Sequence, residues 1–151
     1  MVLPVEIDVN SLARLGRNFP WEKPPSCPCC QGTLWWHGFV PAYLGGLLVA
    51  VFLRRLYCPY CKSVHRLRPV DHWRRFQSAI PTIRESIAHR EQHGRWRPDL
   101  PRPRQRQWWR RLGWMIEAVP GLSFSGSRLE GFDAVIDRRQ VPVGSVIQSG
   151  W

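Results

Sequence analysis

Two Cys-x-x-Cys pairs stand 31 positions apart in this chain, Cys27-Pro28-Cys29-Cys30 and Cys58-Pro59-Tyr60-Cys61. A turn at each pair lets two thiolates point the same way, so Cys27, Cys30, Cys58 and Cys61 can converge on one tetrahedral centre. Zinc suits four sulfur ligands and needs no redox chemistry. One Zn2+ per chain is therefore expected, in a structural role, because four protein ligands leave no position open for substrate. Cys29 is the spare thiol, since Cys27 and Cys30 reproduce the spacing of Cys58 and Cys61. His37 and His65 are reserve ligands.

A second chemistry lies in the charge. The 151 residues carry 22 basic and 11 acidic side chains, a formal net charge of +11. Sixteen of the basic residues fall within 54–111, against Asp71, Glu85, Glu91 and Asp99, while the remainder is close to neutral. The ratio of twenty Arg to two Lys suits either bidentate phosphate and guanine contacts or an Arg-favouring coding sequence, but codon preference does not explain the clustering. Guanidinium groups bind phosphates and guanine edges bidentately, so a polyanionic partner is expected. The expected contacts are Arg74, Arg75, Arg95, Trp96, Arg97, Arg102, Arg104, Arg106, Arg110 and Arg111, with duplex DNA favoured and RNA possible.

These groups need elements to hold them. Residues 1–25 read as an N-terminal arm: Val2, Leu3, Val5, Ile7 and Val9 suit a short strand, and Ser11 is placed to cap a helical turn carrying Leu12 and Leu15, stopped by Gly16. Residues 26–68 read as a zinc ribbon. Leu34 to Leu53 has no formal charge with His37 neutral, which raises the question of a membrane span. Pro41, Gly45-Gly46, His37 and the flanking cysteines favour instead a hairpin, with Thr33–Val40 running out and Leu47–Tyr57 returning. No membrane partner is expected.

Residues 69–119 read as a basic helical unit: a short helix from Asp71 or a neighbour through His72–Ser78, a second from Pro81 to His93 ended by Gly94, and a third from Arg104 to Val119 stopped by Pro120-Gly121. In the third, Trp108, Trp109, Leu112, Met115, Ile116 and Val119 share one face, with Arg106 and Arg110 opposite and Arg104 and Arg111 at the border. Trp96 and Trp114 are the rings expected at the surface. Residues 120–151 form a C-terminal extension of uncertain structure, either two short strands near Phe132–Ile136 and Val141–Ile147 or a tail that orders on a partner. The fold class expected is small α+β, a zinc ribbon followed by a helix-turn-helix-like unit.

The run Leu34-Trp35-Trp36-His37-Gly38, the strand ending Leu53-Arg54-Arg55-Leu56-Tyr57-Cys58-Pro59-Tyr60-Cys61, then His65, Trp96 and Gln107-Trp108-Trp109-Arg110-Arg111 together resemble the zinc-binding, helix-turn-helix head of bacterial insertion-sequence transposases. The resemblance covers residues 26 to about 119. It implies recognition of element DNA, with strand cutting left to a separate acidic catalytic domain. Here no such domain fits after Val119. Glu117, Glu130, Asp133 and Asp137 neighbour Arg128, Arg138 and Arg139, which favours surface ion pairs over a magnesium site. Phosphate-cradling, nucleophile-elbow and His-Glu-x-x-His motifs are also missing. The expectation is a non-enzymatic, DNA-binding component of a mobile element, with a transposase or nuclease as possible protein partner; an RNA-binding ribbon protein is the alternative. An odd number of cysteines with metal-like spacing, and no signal-peptide pattern, points to the bacterial cytoplasm.

Overall fold

The computed structural model describes residues 1–119 and 126–146. It contains two compact units, Met1–Ser78 and Ala79–Trp151.

The first unit is built on a four-stranded mixed sheet in the order β1-β4-β3-β2, with β1 Val2–Val5, β2 Trp35–Ala42, β3 Val51–Tyr57 and β4 Val64–Pro69. Strand β3 is central and apolar on both faces. Leu53 packs with Leu12, Leu44 and Val51, while Leu56 packs with Leu34, Leu67, Cys27 and Cys58. Helix α1, Val9–Leu15, contributes Leu12; Asp8 rather than Ser11 caps it, accepting from the amides of Asn10 and Ser11, and Gly16 ends it at φ 57. The apolar stretch read as a hairpin forms β2 and β3, which pair antiparallel around an irregularity between Trp36 and Phe39. No helix among the described residues is long and apolar enough to cross a membrane.

Edge strand β2 keeps Trp35 and Trp36 exposed. Arginines cover part of its aromatic surface. The Arg54 guanidinium lies over Trp36 and Phe39, and Arg17 lies over Phe39 and Phe52. Such stacking shields an edge that would otherwise invite pairing with another strand.

The short strand expected in the N-terminal arm is β1, and it joins the sheet by pairing in parallel with β4, matching Val2 to Arg66 and Val5 to Pro69. One feature of this unit departs from the sequence reading. The residues expected as a short helix, His72–Ser78, form turns instead. Buried Arg68 explains this: its Nε donates to the His72 carbonyl at 3.2 Å and its Nη2 to the Phe76 carbonyl at 2.6 Å, oxygens thereby directed away from a helical ladder. The turn also places Arg75 at φ 68, which a helix cannot accommodate. Arg74 and Arg75 thus belong to the first unit.

The second unit packs three helices pairwise: α2 Ile80–His93, α3 Arg102–Ala118 and α4 Arg128–Asp137. Pro81 and Pro103 lie in first turns, where a missing N–H costs nothing, and Gly94 closes α2 in the left-handed region at φ 66. Trp108, Leu112, Met115 and Val119 are buried as expected, and Trp114 is 47% exposed. Helix α4 occupies residues where strands or a partner-dependent tail were expected. A capping box starts it: Ser127 Oγ accepts from the Glu130 amide and Glu130 accepts from the Ser127 amide. Arg84 holds Asp133 through two bonds of 2.8 and 2.6 Å, and Glu91 accepts from the Arg128 amide. Arg128 donates to the Trp109 carbonyl and stacks over its ring, a path that takes its guanidinium through the space a Cβ at Gly113 would occupy. The helix stop at Pro120-Gly121 and the end of the Val141–Ile147 run lie outside the described residues.

The proline-rich turn between α2 and α3 is held by Gln105, which is fully buried. Its Oε1 accepts from Ser86 Oγ and the Arg97 amide, and its Nε2 donates to the carbonyls of Arg97 and Leu100. Every polar capacity of the amide is used. Replacing it with leucine orphans four polar groups at once, so Gln105→Leu is expected to lower unfolding stability by about 2–4 kcal/mol. Denaturant titration reads this directly; a loss under about 1 kcal/mol would show that the network does not hold the turn.

Candidate metal centre and basic surface

The sheet end that carries Cys58 also carries the first cysteine pair. The two turns share one backbone design. Cys27 N–H donates to the Gly32 carbonyl at 2.8 Å and Cys58 N–H to the Ser63 carbonyl at 2.9 Å, each five residues ahead. The fourth residue after each leading cysteine, Gln31 and Lys62, takes a positive φ of 61° and 60°. Each turn therefore presents its two sulfurs on the same side.

Sγ atoms of Cys27, Cys30, Cys58 and Cys61 all lie within 4.8 Å of one another. Cys27 and Cys61 are 3.7 Å apart, and Cys30 and Cys58 are 3.4 Å apart. Four thiolates at about 2.3 Å from a tetrahedral metal stand about 3.8 Å from each other, so the cluster has the size a single ion requires. Cys27 and Cys58 are fully buried in the core, whereas Cys30 faces solvent. The expected pairing of Cys27 with Cys30 matches this set. Cys29 falls in a different grouping, with Cys27 and His65.

Without a cation, Cys30 and Cys61 hold their protons very differently. The Ser63 hydroxyl, then its amide, hold Cys61 down to about 6. The Gly32 amide draws Cys30 down too, but the hydrogen bond with Cys58, burial and the neighbouring Cys61 and Cys27 outweigh it and push that thiol up to about 12. One sulfur is thus a ready thiolate at neutral pH, and another gives up its proton only to a cation.

His65 is buried with Nε2 3.3 Å from Cys27 Sγ. Burial holds it below the ordinary imidazole value, so it stands neutral and can donate Nε2–H to the Cys27 sulfur, the outer support that metal ligands generally require. The other reserve ligand, His37, is exposed and rests on the Tyr57 ring. Strand β4 brings His65 to the cluster. Its alternation, with His65 and Leu67 inward between Arg66 and Arg68, was the available signal for a further strand of this sheet.

The predicted nucleic-acid contacts divide into groups. Arg95, Arg102, Arg106 and Arg110 are exposed and, with Trp96, line two adjoining shallow hollows of about 430 and 460 Å³. No carboxylate lines either hollow. Trp96 is half-buried rather than fully at the surface, edge-on to Trp109 with ring centroids 6.3 Å apart and with the Arg90 guanidinium 4.5 Å from its centroid. Arg97 is engaged inside the protein, bridging Asp99 at 2.6 Å and Glu85 at 2.8 Å, and it draws the Asp99 carboxyl below the ordinary value. Arg104 and Arg111 are half-buried at the border of α3, as the projection predicts, and Arg74 and Arg75 are exposed on the turn after β4. No protein-family model matches the chain, and neither does any curated protein or solved structure.

Proposed function

We propose that this protein binds nucleic acid without catalysing a reaction, using a zinc-stabilised ribbon and a basic three-helix unit whose α3 surface contacts the phosphate backbone. Zinc is the reading that four clustered cysteines favour, because a closed all-sulfur set suits a structural ion. The observation that carries the binding reading is the group Arg95, Arg102, Arg106 and Arg110, exposed around Trp96 with no lining carboxylate. Guanidinium groups left without protein anions are available to phosphates, while the buried Trp108–Leu112–Met115 face fixes the helix beneath them. Duplex DNA is the preferred ligand, and the resemblance to transposase heads makes an accessory or recognition role in a mobile element the biological setting, alone or with a catalytic partner. RNA or single-stranded DNA is the second reading, favoured by the partly open Trp96 ring, on which an unpaired base can stack.

The test is a comparison of duplex DNA, single-stranded DNA and structured RNA at matched salt. Tightest binding is expected for the duplex, with log affinity falling against log salt at a slope of about −3 to −4 for four arginine contacts. A slope near zero rules out the arginine surface. Tightest binding to unpaired strands selects the stacking alternative.

A further inference from the structure

We infer that the first unit carries a separate phosphate-binding site, formed by Arg55 on β3, Arg66 on β4 and Arg74 on the following turn. These side chains line one hollow of about 190 Å³, together with Val2 and Val64, and no carboxylate lines it. Among the described residues none of the three arginines is in an ion pair.

Three features separate this from an ordinary solvated basic surface. First, Arg55 and Arg66 are direct cross-strand partners in the β3–β4 register, so like charges face each other at the shortest spacing a sheet offers. That arrangement is unfavourable unless an anion lies between them. Second, Arg55 Nε is buried with no acceptor, although a charged donor removed from water requires one. Third, the backbone that carries Arg74 is held in place. Buried Arg68 holds the carbonyls of His72 and Phe76 on either side of it, and Arg75 beside it is kept at φ 68. Backbone strain of that kind persists only where surrounding contacts enforce it.

The size of the hollow narrows the ligand. It is smaller than the roughly 300–1,000 Å³ of pockets that enclose drug-sized molecules. One phosphate group fits this scale, and three guanidinium groups match its several oxygens through paired N–H donors. The phosphate can belong to a free ion or to a nucleic-acid backbone. The site uses no residue of the α3 surface and stands whether or not that surface binds DNA.

The experiment titrates inorganic phosphate into the full metal-loaded chain, with sodium chloride of equal ionic strength as reference, and follows the Arg55 Nε–Hε resonance and the melting midpoint. Phosphate should move the Arg55 resonance saturably where chloride does not. At ten times half-saturation it should raise the midpoint by about 5–10 °C. Arg66→Gln should abolish both responses while melting no lower than the parent in chloride, because it removes half of the opposed charge. Phosphate responses no larger than those to chloride, or an Arg66→Gln chain that responds like the parent, overturn the site. A short single-stranded oligonucleotide then identifies the source: displacing phosphate from Arg55 assigns the site to a backbone phosphodiester, and failing to displace it assigns a free phosphate. The same titration on Arg106→Glu/Arg110→Glu keeps the two surfaces distinguishable, since the Arg55 response should persist there.

Discussion

Cys58→Ser is expected to strip the chain of its metal and unfold the first unit, whereas Cys29→Ser should retain both metal and fold. The reason lies in how this unit is held. Its sheet is closed at one end by the sulfur cluster, and Cys27 and Cys58 are themselves core residues, packed with Leu34, Leu56 and Leu67. A structural zinc ion contributes about 10–16 kcal/mol at neutral pH, as much as or more than the 5–15 kcal/mol that keeps a whole domain folded. Losing one sulfur therefore removes more stability than the unit can spare. Serine at position 29 removes only an exposed sulfur outside the four-cysteine set. The measurements are metal per chain by mass spectrometry and amide resonances of residues 1–78 by NMR. One ion per chain in the parent and in Cys29→Ser, and none in Cys58→Ser, is the expected pattern. Metal retained in Cys58→Ser, or lost in Cys29→Ser, would assign the ligands differently.

Acid should act on the same centre. Cys30 keeps its proton up to about 12, so metal uptake at neutral pH expels at least one proton, and below about 6 Cys61 adds a further one. Affinity should fall by at least about tenfold per pH unit near neutrality, and the fall should steepen by a further factor of about ten per unit below pH 6.

The cysteine spacing and the hairpin between the pairs could be read from local signals, because short-range turns and residue alternation set both. Helices α2 and α3 were readable for a similar reason: Pro81, Gly94 and the Trp108–Leu112–Met115 stripe are local marks. What the sequence hid were long-range pairings. Nothing near Val2 indicates that it will lie beside Arg66, and parallel pairing across that separation has no turn to announce it. The His72–Ser78 segment failed differently. Its helical start signal was outweighed by one buried guanidinium, that of Arg68, which looked like one more member of a basic run. The α4 capping box, Ser127-x-x-Glu130, was present in the sequence but hidden among glycine, serine and valine. Arg97 was counted with the free arginines although Asp99 stands two positions on; its second partner, Glu85 on α2, reaches it only through the fold.

That distinction between engaged and free arginines sets the expected result at the proposed nucleic-acid surface. Arg106→Glu/Arg110→Glu should weaken duplex binding by about a hundredfold near 0.1 M salt, whereas Arg14→Glu/Arg139→Glu, an equal change in net charge, should weaken it by less than about fivefold. Each lost phosphate contact removes close to one unit of the salt slope, which near 0.1 M is about eightfold in affinity, and two carboxylates at the surface add repulsion. Arg106 and Arg110 are exposed on the side of α3 opposite its buried face, so their reversal disturbs no packing. Arg14 and Arg139 are exposed elsewhere, on α1 and after α4. The salt slope should fall by about 2 for the first pair and stay near the parent value for the second. Arg97→Gln supplies the complementary reading. It should alter folding stability more than the salt slope, since its charge is already spent on Asp99 and Glu85. Equal losses from the two reversed pairs would mean that net charge alone drives binding, and the α3 surface would then have no special role.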